Sequence, residues 1–234
     1  VNLGMHPSFE SNQGDFFFMP RRDPSRLVDT VVSLCATRLP ENMGVPSSEI
    51  QVLSPTRKGE SGTVNLNRAL QAALNPPAPH KPSLTYGETI FRLGDKVMQI
   101  KNCEDINNGD IGYIQSITGT QSDSVVRIDF GDGRIVDYEN SDLDMLDLGY
   151  ACTVHKSQGS EYKSVIINLQ CAHSVMLVRP LIYTAITRAK ENIILIGQKN
   201  VVNAMVQNNR KACRYSCMKR LLDEKFKENL FDED

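Results

Sequence analysis

A chain of 234 residues, 40% hydrophobic and 23% charged, has the make-up of a globular protein with one large core or two modest ones. No apolar run approaches the ~20 residues of a membrane helix and the first residues do not resemble a signal peptide, so no membrane partner is expected. The net charge of −2 excludes a chain that is basic throughout, but residues 85–148 hold thirteen acidic and five basic side chains, which leaves the remainder at +6. An acidic insert inside a basic body results, and any grip on a polyanion is expected mainly on the body.

In chain order, "DFFFMP" predicts a short strand ended by Pro20. Asp23 or Ser25 can cap a helix over Pro24–Leu39, with Leu27, Val28, Val31, Val32, Leu34 and Cys35 on its apolar face. "EIQVLSP" is a continuous apolar strand of the kind buried in parallel sheets. The turn "TRKGESG" leads into the helix "TVNLNRALQAALN", with Val64, Leu66, Leu70, Ala73 and Leu74 at helical spacing. Strand alternating with helix predicts an open α/β sheet.

"NPPAPHKPS" then forms a stiff linker, and the texture changes to short strands and tight turns. "DKVMQIKN", "GDIGYIQSI" and the hairpin "SVVRIDFGDGRIVDY", turning at Asp132-Gly133, predict a small β-barrel of SH3-like size. After Leu148 the α/β texture resumes. "ACTVHKSQGSEY" reads as a short strand or turn leading into a brief helix, "SVIINL" as a buried strand, "VMLVRPLIYTAITRA" as a helix and "NIILIG" as a buried strand. The expected organisation is 1–83 as the first part of an α/β domain, 84–148 as the barrel, and 149–234 as the second part with the tail. The six cysteines, Cys35, Cys103, Cys152, Cys171, Cys213 and Cys217, form no CxxC pair, so no zinc site is expected. They read as reduced thiols of a cytoplasmic protein.

Two stretches are dense in chemistry. "TVHKSQGSEY" sets Thr153, His155, Lys156, Ser157 and Gln158 before Gly159, with Glu161 beyond it. Hydroxyl, imidazole and ammonium groups suit phosphate oxygens, a glycine admits close backbone approach, and a carboxylate can accept from ribose hydroxyls. Alone, the stretch is better read as a polar loop with a capping serine. "YTAITRAK" places Arg188 at a helix C-terminus, where it could simply meet the dipole, as could Lys190. "SPTRKG" carries Thr56 and Arg57 in what could be a solvated loop.

Together and in order, "VLSPTRKGESGTVNLNRALQAALNP", "TVHKSQGSEY" and "YTAITRAKENIILIG" resemble the C-terminal motor half of superfamily 1 DNA helicases. The branch resembled is RecD-like and includes the exodeoxyribonuclease V alpha subunit. The last two stretches match the motifs termed V and VI, and "VNLGMHPSFESNQGDFFF" resembles the segment after motif IV. An SH3-like insertion ahead of motif V is that family's arrangement. The resemblance implies a RecA-like parallel-sheet domain split by the barrel, in an ATP-dependent enzyme that translocates 5′-to-3′ on single-stranded DNA. By it, Arg188 would be an arginine finger on the γ-phosphate. Gly159 and Glu161 would face the nucleotide, with Glu161 on the ribose. Thr153 and His155 would contact the DNA backbone, Lys156 and Gln158 would lie on the path coupling the two sites, and Thr56 and Arg57 are further DNA-backbone candidates. Tyr183 is expected to pack.

No GxxxxGK[ST] occurs, so no phosphate cradle or magnesium hydroxyl is present in the sequence. Asp223-Glu224, in "KRLLDEKF", reads as a solvated helix face and not as a magnesium-binding pair. ATP and Mg2+ would therefore belong to the intact protein, with the magnesium ligands elsewhere. The start without methionine, inside a family-matching segment, fits a piece of a longer chain whose missing first motor domain is a partner. Subunits of a nuclease complex are further candidate partners. Alone, the chain is expected to hydrolyse no ATP and to bind single-stranded DNA weakly. Lys96, Lys101 and Arg127 could touch a backbone but read better as solvated surface charges. The alternatives are a non-enzymatic nucleic-acid-binding module that keeps the motifs, and a scaffold built on the barrel. A proline-peptide reader is disfavoured because the chain has no tryptophan.

Overall fold

The computed structural model describes residues 8–10, 14–103, 106–120, 123–170 and 177–209. In chain order they form β1 (Phe16–Pro20), α1 (Pro24–Ser33), α2 (Leu39–Met43), β2 (Ile50–Ser54) and α3 (Thr63–Leu74). Then come β3 (Ser83–Tyr86), β4 (Thr89–Arg92), β5 (Lys96–Gln99), β6 (Ile111–Thr118), β7 (Val125–Asp129), β8 (Ile135–Glu139) and β9 (Leu146–Leu148). The chain continues through β10 (Ala151–Thr153), β11 (Tyr162–Asn168), α4 (Arg179–Ile186), β12 (Ala189–Gly197) and α5 (Lys199–Gln207). Cys171, Cys213, Cys217 and Asp223-Glu224 lie outside the described residues.

Strands β1, β12, β11, β2 and β10 make a five-stranded sheet in that order, and every neighbouring pair is parallel. Successive side chains of a strand point to opposite faces, and here both faces are covered. Val52, Ile166 and Ile194 share a core with Leu27 and Val31 of α1 and with Leu66 and Leu70 of α3. Their neighbours Leu53, Ile167 and Leu195 pack instead with Leu181 and Ile182 of α4 and with Val202 and Met205 of α5. Continuous apolar runs arise because β2, the last five positions of β11 and the end of β12 have no solvent side.

Four features depart from expectation. The first helix does not stop at Leu39. Asp23 caps it by accepting from the Ser25 amide, and a π turn over Leu34–Arg38 links α1 to α2. That wider turn shifts the hydrogen-bond register ahead of Pro40, which then sits in the first turn of α2, where its missing N–H costs nothing. The second α/β part has a later helix start, at Arg179, with Pro180 again in the first turn. No helix follows β10: residues 154–159 are turn. Helix α5, not anticipated, buries Val202, Met205 and Val206.

Between α3 and β10 the chain builds an antiparallel sheet, β8-β7-β6-β5-β9, and the hairpin β3-β4. This is the SH3-like unit inserted into the RecA-like sheet domain. The β7–β8 hairpin turns through left-handed Asp132 and Gly133 (φ 54° and 77°), as its Asp-Gly corner predicts. Val97, Val126, Ile128 and Tyr138 of the insertion belong to the same contiguous core as α1, α3 and one face of the parallel sheet.

Polar side chains lock this seam. Asp95, fully buried, accepts from Gln71 Nε2, Asn75 Nδ2, the Tyr150 hydroxyl and the Arg92 amide. Asn67 of α3 donates to the Leu148 and Ala151 carbonyls and accepts from the Ala151 amide. The buried face of α3 therefore includes Asn67 and Gln71, while Ala73, expected inside, is exposed. Lys96 is no surface charge: it is 3% exposed and donates to the Ser48 and Ile50 carbonyls. Burial pushes its ammonium down to about 8. Lys101 and Arg127 do lie at the surface, paired with Asp144 and Asp137.

Candidate nucleotide- and nucleic-acid-facing site

The expected site residues fall into two groups at opposite ends of the parallel strands. β2 and β10 run side by side with Ser54 opposite Thr153, so the turns that follow them leave the sheet together. Thr56 is half-buried and its carbonyl accepts from the Thr63 amide at the start of α3. Arg57, exposed, pairs with Asp147 of β9 at 3.2 Å. The Thr153 carbonyl accepts from the amides of Lys156 and Ser157, which winds the chain back on itself. Arg57, Asp147, Thr153 and Lys156 line one small pocket of about 20 Å³. Partial burial lowers the Lys156 ammonium, with Asp147 opposing and Arg57 reinforcing that shift.

His155 and Gln158 belong to the same turn but open elsewhere. Both are exposed, and both line a cavity of about 300 Å³ together with Pro180, Leu181 and Thr184. Ser157 is buried and donates to the Val154 carbonyl, fixing the turn between the two openings. The four residues Thr153, His155, Lys156 and Gln158 thus do not form one surface.

The second group lies at the start of β11 and β12, where Tyr162 sits opposite Ala189. Gly159 has φ +89°, a conformation that favours glycine, and a Cβ there would meet nothing within 4 Å. Its glycine serves the backbone turn and leaves an open face. Glu161, exposed, pairs with Lys190 at 3.4 Å. Arg188 is half-buried and held by oxygens: Nη1 donates to the Ser160 carbonyl at 3.1 Å, Nε to the Thr184 carbonyl at 3.2 Å and Nη2 to Thr187 Oγ1 at 3.2 Å. Its own carbonyl accepts from the Tyr162 amide at 2.8 Å. Among the described residues it has no ion-paired carboxylate, so its charge is oriented and not neutralised. Tyr183, expected to pack, is instead 44% exposed on the neighbouring helix.

Residues 154–161 connect the two groups. They cross from the C-terminal end of β10 to the N-terminal end of β11, on the far side of β2. Sequence reasoning missed Asp147, the partner of Arg57, because nothing in "DLDMLDL" sets it apart from the other acids of the insert.

A parallel α/β sheet interrupted by an SH3-like unit, with an oriented arginine beside a glycine turn, is the architecture that the resemblance to RecD-like helicases implies. Two family models match in tandem: the SH3 domain of ATP-dependent RecD-like DNA helicases over residues 66–130, and the UvrD-like helicase C-terminal domain over 148–196. The ATP-dependent RecD2 DNA helicase of Deinococcus radiodurans is 36% identical over 181 residues, covering 76% of this chain and 24% of that protein. The RecBCD enzyme subunit RecD of Mycobacterium tuberculosis is 27% identical over 219 residues, covering 88% and 36%. The crystal structure of Pif1 helicase from Candida albicans aligns over 90% of this chain and 60% of that chain, at 15% identity and a TM-score of 0.47. The chain belongs to the RecD-like DNA helicases, over the part matched by their SH3 domain and by the UvrD-like C-terminal domain. It spans about a quarter to a third of the length of these curated relatives.

Proposed function

We propose that this chain is the second motor domain of an ATP-driven DNA helicase that moves 5′-to-3′ on single-stranded DNA. In this reading Arg188 is the arginine finger, stabilising charge on the γ-phosphate of ATP held by a first motor domain, which would also supply the magnesium ligands. Gly159 and Glu161 face the nucleotide, with the carboxylate on the ribose. Thr56, Arg57 and Thr153 form a DNA-backbone track, His155 contributes from the adjoining opening, and Lys156 and Gln158 transmit between the two sites. RecD of the RecBCD enzyme works as a subunit of a complex, and nuclease-complex subunits are proposed partners here as well. The domain limits 1–83, 84–148 and 149–234 are part of the proposal, as is a cytoplasmic location.

The observation that carries this reading is Arg188, a guanidinium fixed by two backbone carbonyls with no carboxylate partner among the described residues. A cation so arranged is ready for an anion that comes from outside the domain. A structural helix-end arginine would meet the carbonyls of its own helix only, whereas this one also grips Ser160 in the glycine turn.

The test uses the longer helicase chain that contains this sequence. Arg188→Ala should lower DNA-stimulated ATP turnover by about 10³-fold or more, while single-stranded DNA affinity stays within about threefold, a shift well under 1 kcal/mol. Turnover near the parent rate would refute the finger assignment. A binding module that merely retains the motifs would show no ATP turnover in either protein.

A further inference from the structure

The insertion does more than interrupt the sheet: one of its loops touches the Thr153–Gln158 turn directly. Between β5 and β6, the backbone of Gly109 lies so close to the Lys156 carbonyl that a Cβ at Gly109 would sit 2.8 Å from that oxygen. Gly109 also has φ +104°, and its amide donates to the Gln99 carbonyl. The contact is braced from behind. The Asp110 carboxylate accepts from the Asn107 amide and pairs with Arg134 at 2.7 Å, and Asn102 Oδ1 accepts from the Asn108 amide.

Two further contacts converge on the same turn. Met98 of β5, 1% exposed, belongs to the apolar cluster that contains Cys152, just before the turn, and Val154 within it. Asp147 of β9 faces Arg57 and Lys156 across the small shared pocket. β10 is the edge strand of the parallel sheet, with β2 as its neighbour on one side. Among the described residues no strand pairs with its other side.

We propose that the SH3-like insertion holds the Thr153–Gln158 turn in place through the Gly109 contact with Lys156, which makes Gly109 a positioning residue for the polyanion contact made there. The link to a polyanion rests on the helicase reading above, but the mechanical link does not. Any side chain at Gly109 must displace either the loop, which Asp110 and Arg134 restrain, or the Lys156 carbonyl. Displacing that carbonyl disturbs the hydrogen bonds from the Lys156 and Ser157 amides to Thr153.

Hydrogen exchange on the 234-residue chain tests the mechanical link. Gly133, in the β7–β8 hairpin, is the control: it too has positive φ (+77°), but a Cβ there meets nothing within 4 Å. Gly109→Ala should speed exchange of the Lys156 and Ser157 amides by about tenfold or more, a local opening cost of about 1.4 kcal/mol, and leave β7 and β8 unchanged. Gly133→Ala should do the reverse. Parent-like exchange at 156–157 in Gly109→Ala, or equal acceleration everywhere, overturns the proposal. In the longer helicase chain, Gly109→Ala should raise the DNA concentration for half-maximal ATP turnover several-fold, with turnover at saturating DNA within about twofold of the parent. Local exchange gained without that shift would overturn the polyanion role of the turn and leave the brace standing.

Discussion

The parallel sheet and the insertion are built on opposite burial plans. β2 is buried at all five positions and β11 over its last five, because helices cover both faces of that sheet. β7 and β8 alternate between inside and outside, because one face of the antiparallel sheet meets water. The surplus acid of the insert therefore has an outlet on that open face, where Asp137 pairs with Arg127. Residues with chemical potential, by contrast, sit at the ends of the two-sided sheet, where turns emerge from a rigid layer. The candidate site residues thus stand on the rigid sheet and the surplus charge on the open one, and the seam between them is built from partnered polar groups.

The largest test of that comparison is Asp95→Ala. It would leave the donors of Gln71, Asn75, Tyr150 and Arg92 without their acceptor at the seam. Unmet buried donors cost roughly 1–3 kcal/mol each, so calorimetry should record a loss of at least about 3 kcal/mol. The parent should melt in one transition because its core runs through both parts. Two separate transitions in the parent would break the picture of a shared core.

A smaller effect isolates Lys96. Its folded value of about 8 lies below the ordinary 10.5, so below pH 8 both states are charged and the burial penalty is fully present. As pH rises from 8 to 10.5 the folded state sheds its proton first and the penalty is relieved. The buried thiols of Cys35 and Cys152, pushed up to about 12 by burial, act in the opposite direction above pH 9. That opposing contribution is common to the parent and to Lys96→Met, because the folded thiols stay protonated across the window. Denaturant titrations should therefore show the parent gaining on Lys96→Met by roughly 1–3 kcal/mol between pH 8 and 10.5. A flat difference would mean that Lys96 is already neutral at pH 7 or is solvated.

The smallest effect sharpens the comparison from the open face. Arg127→Ala removes a bidentate pair with Asp137 on the insertion surface, at 2.8 Å for each bond. Solvent-exposed pairs contribute little, so the melting temperature should not move beyond measurement scatter. A clear drop would show that surface pairing, and not the seam, holds the insertion together.

The sequence made some of this legible and hid the rest for identifiable reasons. β2, β11 and β12 were readable because a strand buried on both faces must be apolar throughout. The β7–β8 corner was readable because Asp132-Gly133 suits few backbones besides a left-handed turn. Lys96 was misread as solvent-facing, and Asn67 and Gln71 went unnamed for the buried face, since their partners lie 19 to 84 residues away. Helix α5 was overlooked because Val202, Met205 and Val206 are set among asparagines and a lysine. For the candidate site, the motif residues were visible but their division was not. That Arg188 and Thr153 stand at opposite strand ends follows from the order β11-β2-β10, which pairing over a hundred residues decides.

The connection between those ends has little slack. Along the strands, the step from Ser54 back to the level of Tyr162 is about 20 Å, before the sideways passage across β2 is added. Eight residues reach about 28 Å at full stretch, yet the first of them are coiled against the Thr153 carbonyl. The strap from Val154 to Glu161 is therefore close to its working length. A pull at one end has to be felt at the other, and one inserted residue should let each end move alone.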